Sequence, residues 1–173
     1  LIVSVPMSRN EDIAPLVRLA PEDAVVVDTS NYYPMRDGTM RPFEEGQVES
    51  VWLSELFSRP VAKTWNAITS QSFDGKATEP GAPHRVAIPV AADDDDHRST
   101  AMLLVEETGF DAVDAGVLAE SWRQQPGAPV YCTDHTREEV PDLLAAADKD
   151  RVPQPFCHGN CALNTAKLAD GRG

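Results

Sequence analysis

The chain is poor in basic residues, with 15 Lys and Arg against 28 Asp and Glu and a net charge of −13. Such a surface repels phosphate backbones, which argues against general nucleic-acid binding and against anionic membranes. Long apolar runs are missing too. None approaches the roughly 20 residues needed to cross a bilayer. The apolar start, Leu1 to Pro6, is short and has no basic leader, unlike a secretory signal. Cysteine is scarce and odd in number: Cys132, Cys157 and Cys161. A disulfide framework is therefore not expected, and a reducing cytoplasm is the default compartment. Also absent are H-E-x-x-H, a recognisable catalytic triad and any G-x-G-x-x-G fingerprint.

What remains is ordinary globular composition, 42% hydrophobic and 25% charged over 173 residues. That suits one domain with a core able to fold unaided. Leu1-Ile-Val-Ser-Val5 is a β-branched run stopped by Pro6, the pattern of a strand buried on both faces. Ile13, Leu16, Val17 and Ala20 draw one stripe on a helix starting near Asn10, with Pro21 helping to end it. The spacing predicts further strands near 24–28, 61–66, 86–90 and 110–115. It predicts helices near 44–58, from Asp93 through Glu106, and near 137–148. Residues 32–43 and 70–85 read as loops punctuated by Pro and Gly, and 117–135 is mixed. Gly109 is expected just past a helix end.

Alternating strands and helices imply βαβ crossovers and a mainly parallel sheet flanked by helices. In such sheets, ligands sit beyond the carboxyl ends of strands. The candidate segments are therefore Val5-Pro6-Met7, Thr29-Ser30-Asn31 and Asn66-Ala67-Ile68.

Four segments resemble the NADP oxidoreductase family that acts on the deazaflavin coenzyme F-420. They are Ser4-Val-Pro6, Val25-Val-Val-Asp28-Thr-Ser-Asn31, Val61-Ala-Lys63-Thr-Trp65-Asn66-Ala-Ile68, and Ile88-Pro-Val-Ala-Ala-Asp93-Asp94 with the later Gly109-Phe-Asp-Ala-Val-Asp114-Ala-Gly116-Val-Leu118. The resemblance spans residues 1–152; residues 153–173 are expected to form an irregular tail. It implies an α/β, incomplete Rossmann-like fold with a substrate-side extension, and hydride transfer between NADP and a deazaflavin. In that chemistry the cofactors react and the protein holds two rings face to face. The resemblance also implies that Val5, Pro6, Val27, Asn66, Ala67 and Ile68 position the nicotinamide end. The family places its phosphate-binding fingerprint ahead of the segment matching Leu1. The chain is accordingly expected to be the latter part of the fold, impaired in NADP binding. Its first strand would then offer an open edge, suited to self-association or to a partner chain.

Three other features carry simpler readings. Asp93 to Asp96 suits helix capping better than a metal site. Cys157-x-x-x-Cys161 with His158 falls short of a closed zinc set, so no metal is assigned. The Pro-rich 126–129 segment and Tyr131-Cys132 read either as a border of the deazaflavin pocket or as a surface loop in which Cys132 is a small buried apolar side chain. Lys63 is given no role as a base, because hydride transfer needs none there.

Overall fold

The computed structural model describes residues 1–150. The expected boundary near residue 152 and the tail with Cys157 and Cys161 lie outside the described residues. Five strands form one sheet in the order β1-β2-β3-β4-β5: Ile2–Val3, Val26–Asp28, Val61–Lys63, Ala87–Ala92 and Asp111–Asp114. Helices α1 to α7 span Asn10–Arg18, Pro34–Asp37, Arg41–Glu44, Glu49–Phe57, Ser70–Gly75, Asp95–Glu107 and Val140–Ala145. Short 3-10 helices cover Met7–Arg9 and Leu118–Gln124. The α/β Rossmann-like class expected from the alternation is the class observed.

Side chains on successive strand residues point to opposite faces. Val26 and Val61 join Val3, Ala14, Val17, Leu53 and Phe57 beneath α1 and α4. Val27 and Ala62 face the other way, into a core with Ile88, Val90, Ala101, Val105 and Phe110 beneath α6. The double burial explains why these strands read as continuous apolar runs.

The sheet is parallel except between β3 and β4, which pair antiparallel through Ala62↔Ala92 and Lys63↔Ala91. A parallel crossover needs a connection of a dozen or more residues that returns across the sheet, usually a helix. The six-residue α5 does not make that return. β4 therefore starts at the end of the sheet where β3 finishes.

Several boundaries differ from expectation. The strand expected over 61–66 stops at Lys63, because Trp65 adopts a left-handed φ of 56°. The strand over 1–5 shrinks to Ile2–Val3, and that over 86–90 extends to Ala92. The region 32–43, read as a loop, holds α2 and α3. Each carries Pro in its first turn, where a missing N–H costs nothing. Within 70–85, α5 is capped by the Thr69 hydroxyl, which accepts from the Ser72 amide at 3.0 Å. Helix α1 ends at Arg18, before Pro21. Arg59 donates to the carbonyls of Val17 and Ala20 just beyond, at 3.2 and 2.7 Å.

The acidic stretch at α6 behaves as a cap. Asp94 accepts from the His97 amide at 2.9 Å, and Asp93 accepts from the Leu118 amide at 2.8 Å. Among the described residues, no helix is long and apolar enough to cross a membrane.

Gly109 follows α6 with φ of 92°, and a Cβ there would lie 2.7 Å from the Cβ of Ala77. Gly109→Ala is expected to cost about 1–3 kcal/mol, read as a lowered urea midpoint with unchanged slope.

Candidate functional site

A cavity of about 620 Å³ opens beyond the carboxyl ends of β1, β2 and β3. Ser4 borders it after β1, Thr29 and Asn31 after β2, and Trp65 and Asn66 after β3. Three segments far apart in sequence thus meet at one place, as the strand-end rule anticipates. α5 adds Phe73, whose ring stacks on Phe110 with centroids 5.4 Å apart. The far wall is Tyr131, reached only through the chain's long excursion after β5. Arg36 is the one charged side chain on the lining among the described residues, in a protein dominated by carboxylates.

Of the expected nicotinamide-side residues, Asn66 and Ile68 line this cavity. Ala67 is buried behind it, and its carbonyl accepts from the Cys132 amide at 2.8 Å. Val27 is core, packed toward α6. Val5 packs against the α1–α4 core, and Pro6 is exposed, its carbonyl starting the 3-10 turn at Arg9. The first segment therefore reaches the cavity through Ser4. Sequence reasoning missed Tyr33, Arg36 and Phe73, because all three lie in stretches read as loops.

The Asn66 amide is fully committed within the protein. Its Nδ2 donates to Asn31 Oδ1 at 3.1 Å and to the Gln124 carbonyl at 2.7 Å. Its Oδ1 accepts from Gln124 Nε2 at 2.9 Å. Asn31 returns a bond from Nδ2 to the Asn66 carbonyl at 2.9 Å. Asn66 is thus a positioning residue that ties the β2, β3 and Leu118–Gln124 segments around the cavity.

Lys63 sits below this floor with its side chain fully buried. Its Nζ lies 3.0 Å from Asp28 Oδ2 and 3.7 Å from Glu49 Oε2, and it also donates to the Ser30 carbonyl. Asp28 further accepts from the Ser30 amide at 2.7 Å and the Ser50 hydroxyl at 2.8 Å. The ammonium is a strut between β2, β3 and α4.

Asp37 plays the same part at the cavity's rim. Its side chain is buried, and it accepts from the Tyr33 amide at 2.9 Å and the Ser8 amide at 3.3 Å. Burial pushes its carboxyl up, but hydrogen bonds from Arg36, Tyr33 and Ser8 and the Arg36 charge more than offset this. The net effect holds it below its ordinary value of 3.8.

Two lining residues, Trp65 and Cys132, have left-handed backbones, with φ of 56° and 55°. Such conformations in non-glycine residues are costly and concentrate at functional sites. Cys132 is buried, packed with Ala67, Ala128 and Tyr131.

No family model matches this chain. The protein YjhV of Escherichia coli K12 is 50% identical over 54 residues, covering 31% of this chain and 39% of that protein. Among solved structures, the hypothetical protein SMa0349 from Sinorhizobium meliloti superposes with a TM-score of 0.65 at 24% identity, over 78% of this chain and 65% of its own. A protein described as an F420-dependent NADP reductase, from an Arthrobacter species, superposes with a TM-score of 0.53 at 17% identity, over 69% and 55%. The chain thus spans less than two thirds of each of these proteins. At such identities the structural likenesses establish the Rossmann-like fold and nothing finer.

Two outcomes follow from the buried charges. Lys63→Met leaves Asp28 unpaired in the core and is expected to cost about 3–5 kcal/mol in denaturant unfolding. Asp37, depressed in the folded state, stabilises the fold fully above its ordinary value of 3.8, and that contribution is lost as pH falls through the lower folded value. Asp37→Asn should therefore flatten the acid limb of a stability-versus-pH curve; an unchanged limb would show that the carboxylate is not coupled to folding.

Proposed function

We propose that this chain forms the nicotinamide side of an NADP-dependent oxidoreductase that transfers hydride to or from a deazaflavin-type acceptor. The observation that carries the reading is the meeting of three of the family-like segments, through Ser4, Thr29, Trp65 and Asn66, at one cavity beyond the strand ends. The fold shared with a protein described as an F420-dependent NADP reductase supports it.

The residues fit the ring end of the cofactor. The volume of about 620 Å³ lies within the range of about 300–1,000 Å³ usual for ligand pockets. Phe73, Trp65 and Tyr131 make the lining aromatic, and Ser4 and Thr29 add hydroxyls that suit a carboxamide, the Thr29 oxygen as an acceptor because its proton goes to the Val3 carbonyl at 3.3 Å. The phosphate end is not matched by any G-x-G-x-x-G in the sequence. Bound NADP supplies the hydride chemistry. The protein's task is then to orient the ring and exclude water, and Asn66 and Asp37 hold the walls to that shape.

Fluorescence titration of the purified chain with NADPH and NADH tests the reading. Saturable NADPH binding is expected, weak because no phosphate-binding fingerprint contributes, and weakened further by about tenfold in Thr29→Val, the cost of one lost hydrogen bond of about 1.4 kcal/mol. Failure of NADPH to saturate the chain would defeat it.

A second reading rests on the sheet edge. β1 pairs only with β2 among the described residues, and its Ile2 is 54% exposed. An apolar, unpaired edge invites strand addition, from a second copy or from a partner chain. In light scattering, Ile2→Lys should shift an associating chain toward monomer. A wild-type chain already monomeric at high concentration argues against this second reading.

A further inference from the structure

The strong hydrogen-bond donors around the cavity are already engaged inside the protein. Arg36 is matched by the buried Asp37: its Nη2 lies 2.9 Å from Oδ2, and its Nε donates to Oδ1 at 3.2 Å. Another N–H of Arg36 goes to the Asn31 carbonyl. The hydroxyls of Tyr33 and Tyr131 are bonded to one another, and the Asn66 amide gives its N–H groups to Asn31 and Gln124. The Trp65 indole N–H is itself buried, out of reach of the open space. Two threonines on the lining also turn their protons inward. Thr29 Oγ1 donates to the Val3 carbonyl at 3.3 Å, and Thr108 Oγ1 to the Val105 carbonyl at 2.8 Å. Each of these oxygens is left with lone pairs, able only to accept. Ser4 and Ser70 add hydroxyls that can turn either way. The space of about 620 Å³ is thus walled by rings and acceptor oxygens. Its one cation among the described residues is neutralised, in a chain of net charge −13.

We infer that this cavity selects an uncharged planar ring bearing N–H donors, such as a primary carboxamide or a lactam, and excludes carboxylate and phosphate groups. A donor on the ring finds the Thr29 or Thr108 oxygen already oriented to accept. An anion meets lone pairs instead. It loses its water and gains neither a free cation nor the donors that would offset that loss. Selection of this kind is steep, because an analogue without the donor leaves the acceptors of the site unpaired as well. The aromatic side chains of Trp65 and Phe73 give contact to any flat ring, so the polar groups decide the choice. The inference rests on the nicotinamide-side reading for which ring is the natural one, whereas the preference for a donor belongs to the lining itself. The phosphates of a dinucleotide would then lie outside this cavity, with only its ring end inside.

Three small rings test the selection without turnover: nicotinamide, neutral with N–H donors; methyl nicotinate, neutral without them; and nicotinate, an anion. Binding to the purified chain is read by chemical-shift titration. Saturable nicotinamide binding is expected, with methyl nicotinate weaker by about tenfold, one hydrogen bond, and nicotinate weaker still. Thr29→Val and Thr108→Val should weaken nicotinamide and leave methyl nicotinate unchanged, whereas Thr29→Ser keeps the oxygen and the affinity. Asp37→Asn removes the charge that neutralises Arg36, so nicotinate binding should rise by about tenfold. Circular dichroism melts establish that each variant is folded; if Asp37→Asn is not, the threonine variants decide. Methyl nicotinate or nicotinate binding as tightly as nicotinamide, an amide preference untouched by both threonine-to-valine changes, or no saturable nicotinamide binding would overturn the inference. A parallel NADPH titration separates it from the hydride reading. NADPH binding without preference for the amide sinks the selection alone, whereas amide preference without NADPH binding sinks the cofactor assignment alone.

Discussion

A single buried ammonium sets the geometry on which the site depends. Lys63 ends β3 facing Asp28 at the end of β2, and Ser50 and Glu49 of α4 complete the surrounding shell. Desolvating such charges costs several kcal/mol each, and the cost is offset only when the partners are close and further hydrogen-bonded. Asp28 meets that condition, with the Ser30 amide, the Ser50 hydroxyl and Lys63 all at 3.0 Å or less. The consequence is directional. The chain leaving β2 is pinned at Ser30 and the chain leaving β3 at Lys63, so Asn31 and Asn66 emerge side by side and bond each other. The cavity begins immediately above.

Polar side chains that line or edge this cavity fall into two groups by what they touch. Asn66, Asn31 and Asp37 satisfy neighbouring segments of the same chain, and so fix walls. Ser4 borders the open space itself, and Thr29 does so while its hydroxyl donates to the Val3 carbonyl at 3.3 Å. The division explains why Asn66 stood out in the sequence as a site residue, although its amide is used internally. It marks a turn where three segments converge, and convergence is what creates a pocket.

The reading of the sequence succeeded where structure follows from local periodicity. The Ile13 and Val17 stripe, the Val25-Val-Val27 run and the acidic cap before α6 are each decided within a few residues of backbone. It erred at Pro34 and Pro42, because Pro breaks a helix only when it stands inside one and is welcome in the first turn. Val5, Pro6, Val27 and Ala67, expected at the nicotinamide end, do not line the cavity. Being next to a strand end decides that a segment reaches the crevice. The pleat decides which of two adjacent side chains enters it, and a shift of one residue exchanges Ser4 for Val5.

The amino-acid order by itself determined the main strands and helices, their layering as α/β, and the end of the sheet where the cavity opens. These depend on spacing along the chain, which the sequence contains in full. Only tertiary structure decided that β4 runs against β3, that Lys63 is a strut, and that Asn31 and Asn66 bond each other at the cavity. Each of these rests on contacts between residues tens of positions apart. Such contacts are selected by how whole elements pack and by which buried charges must find partners, and no local pattern records that choice.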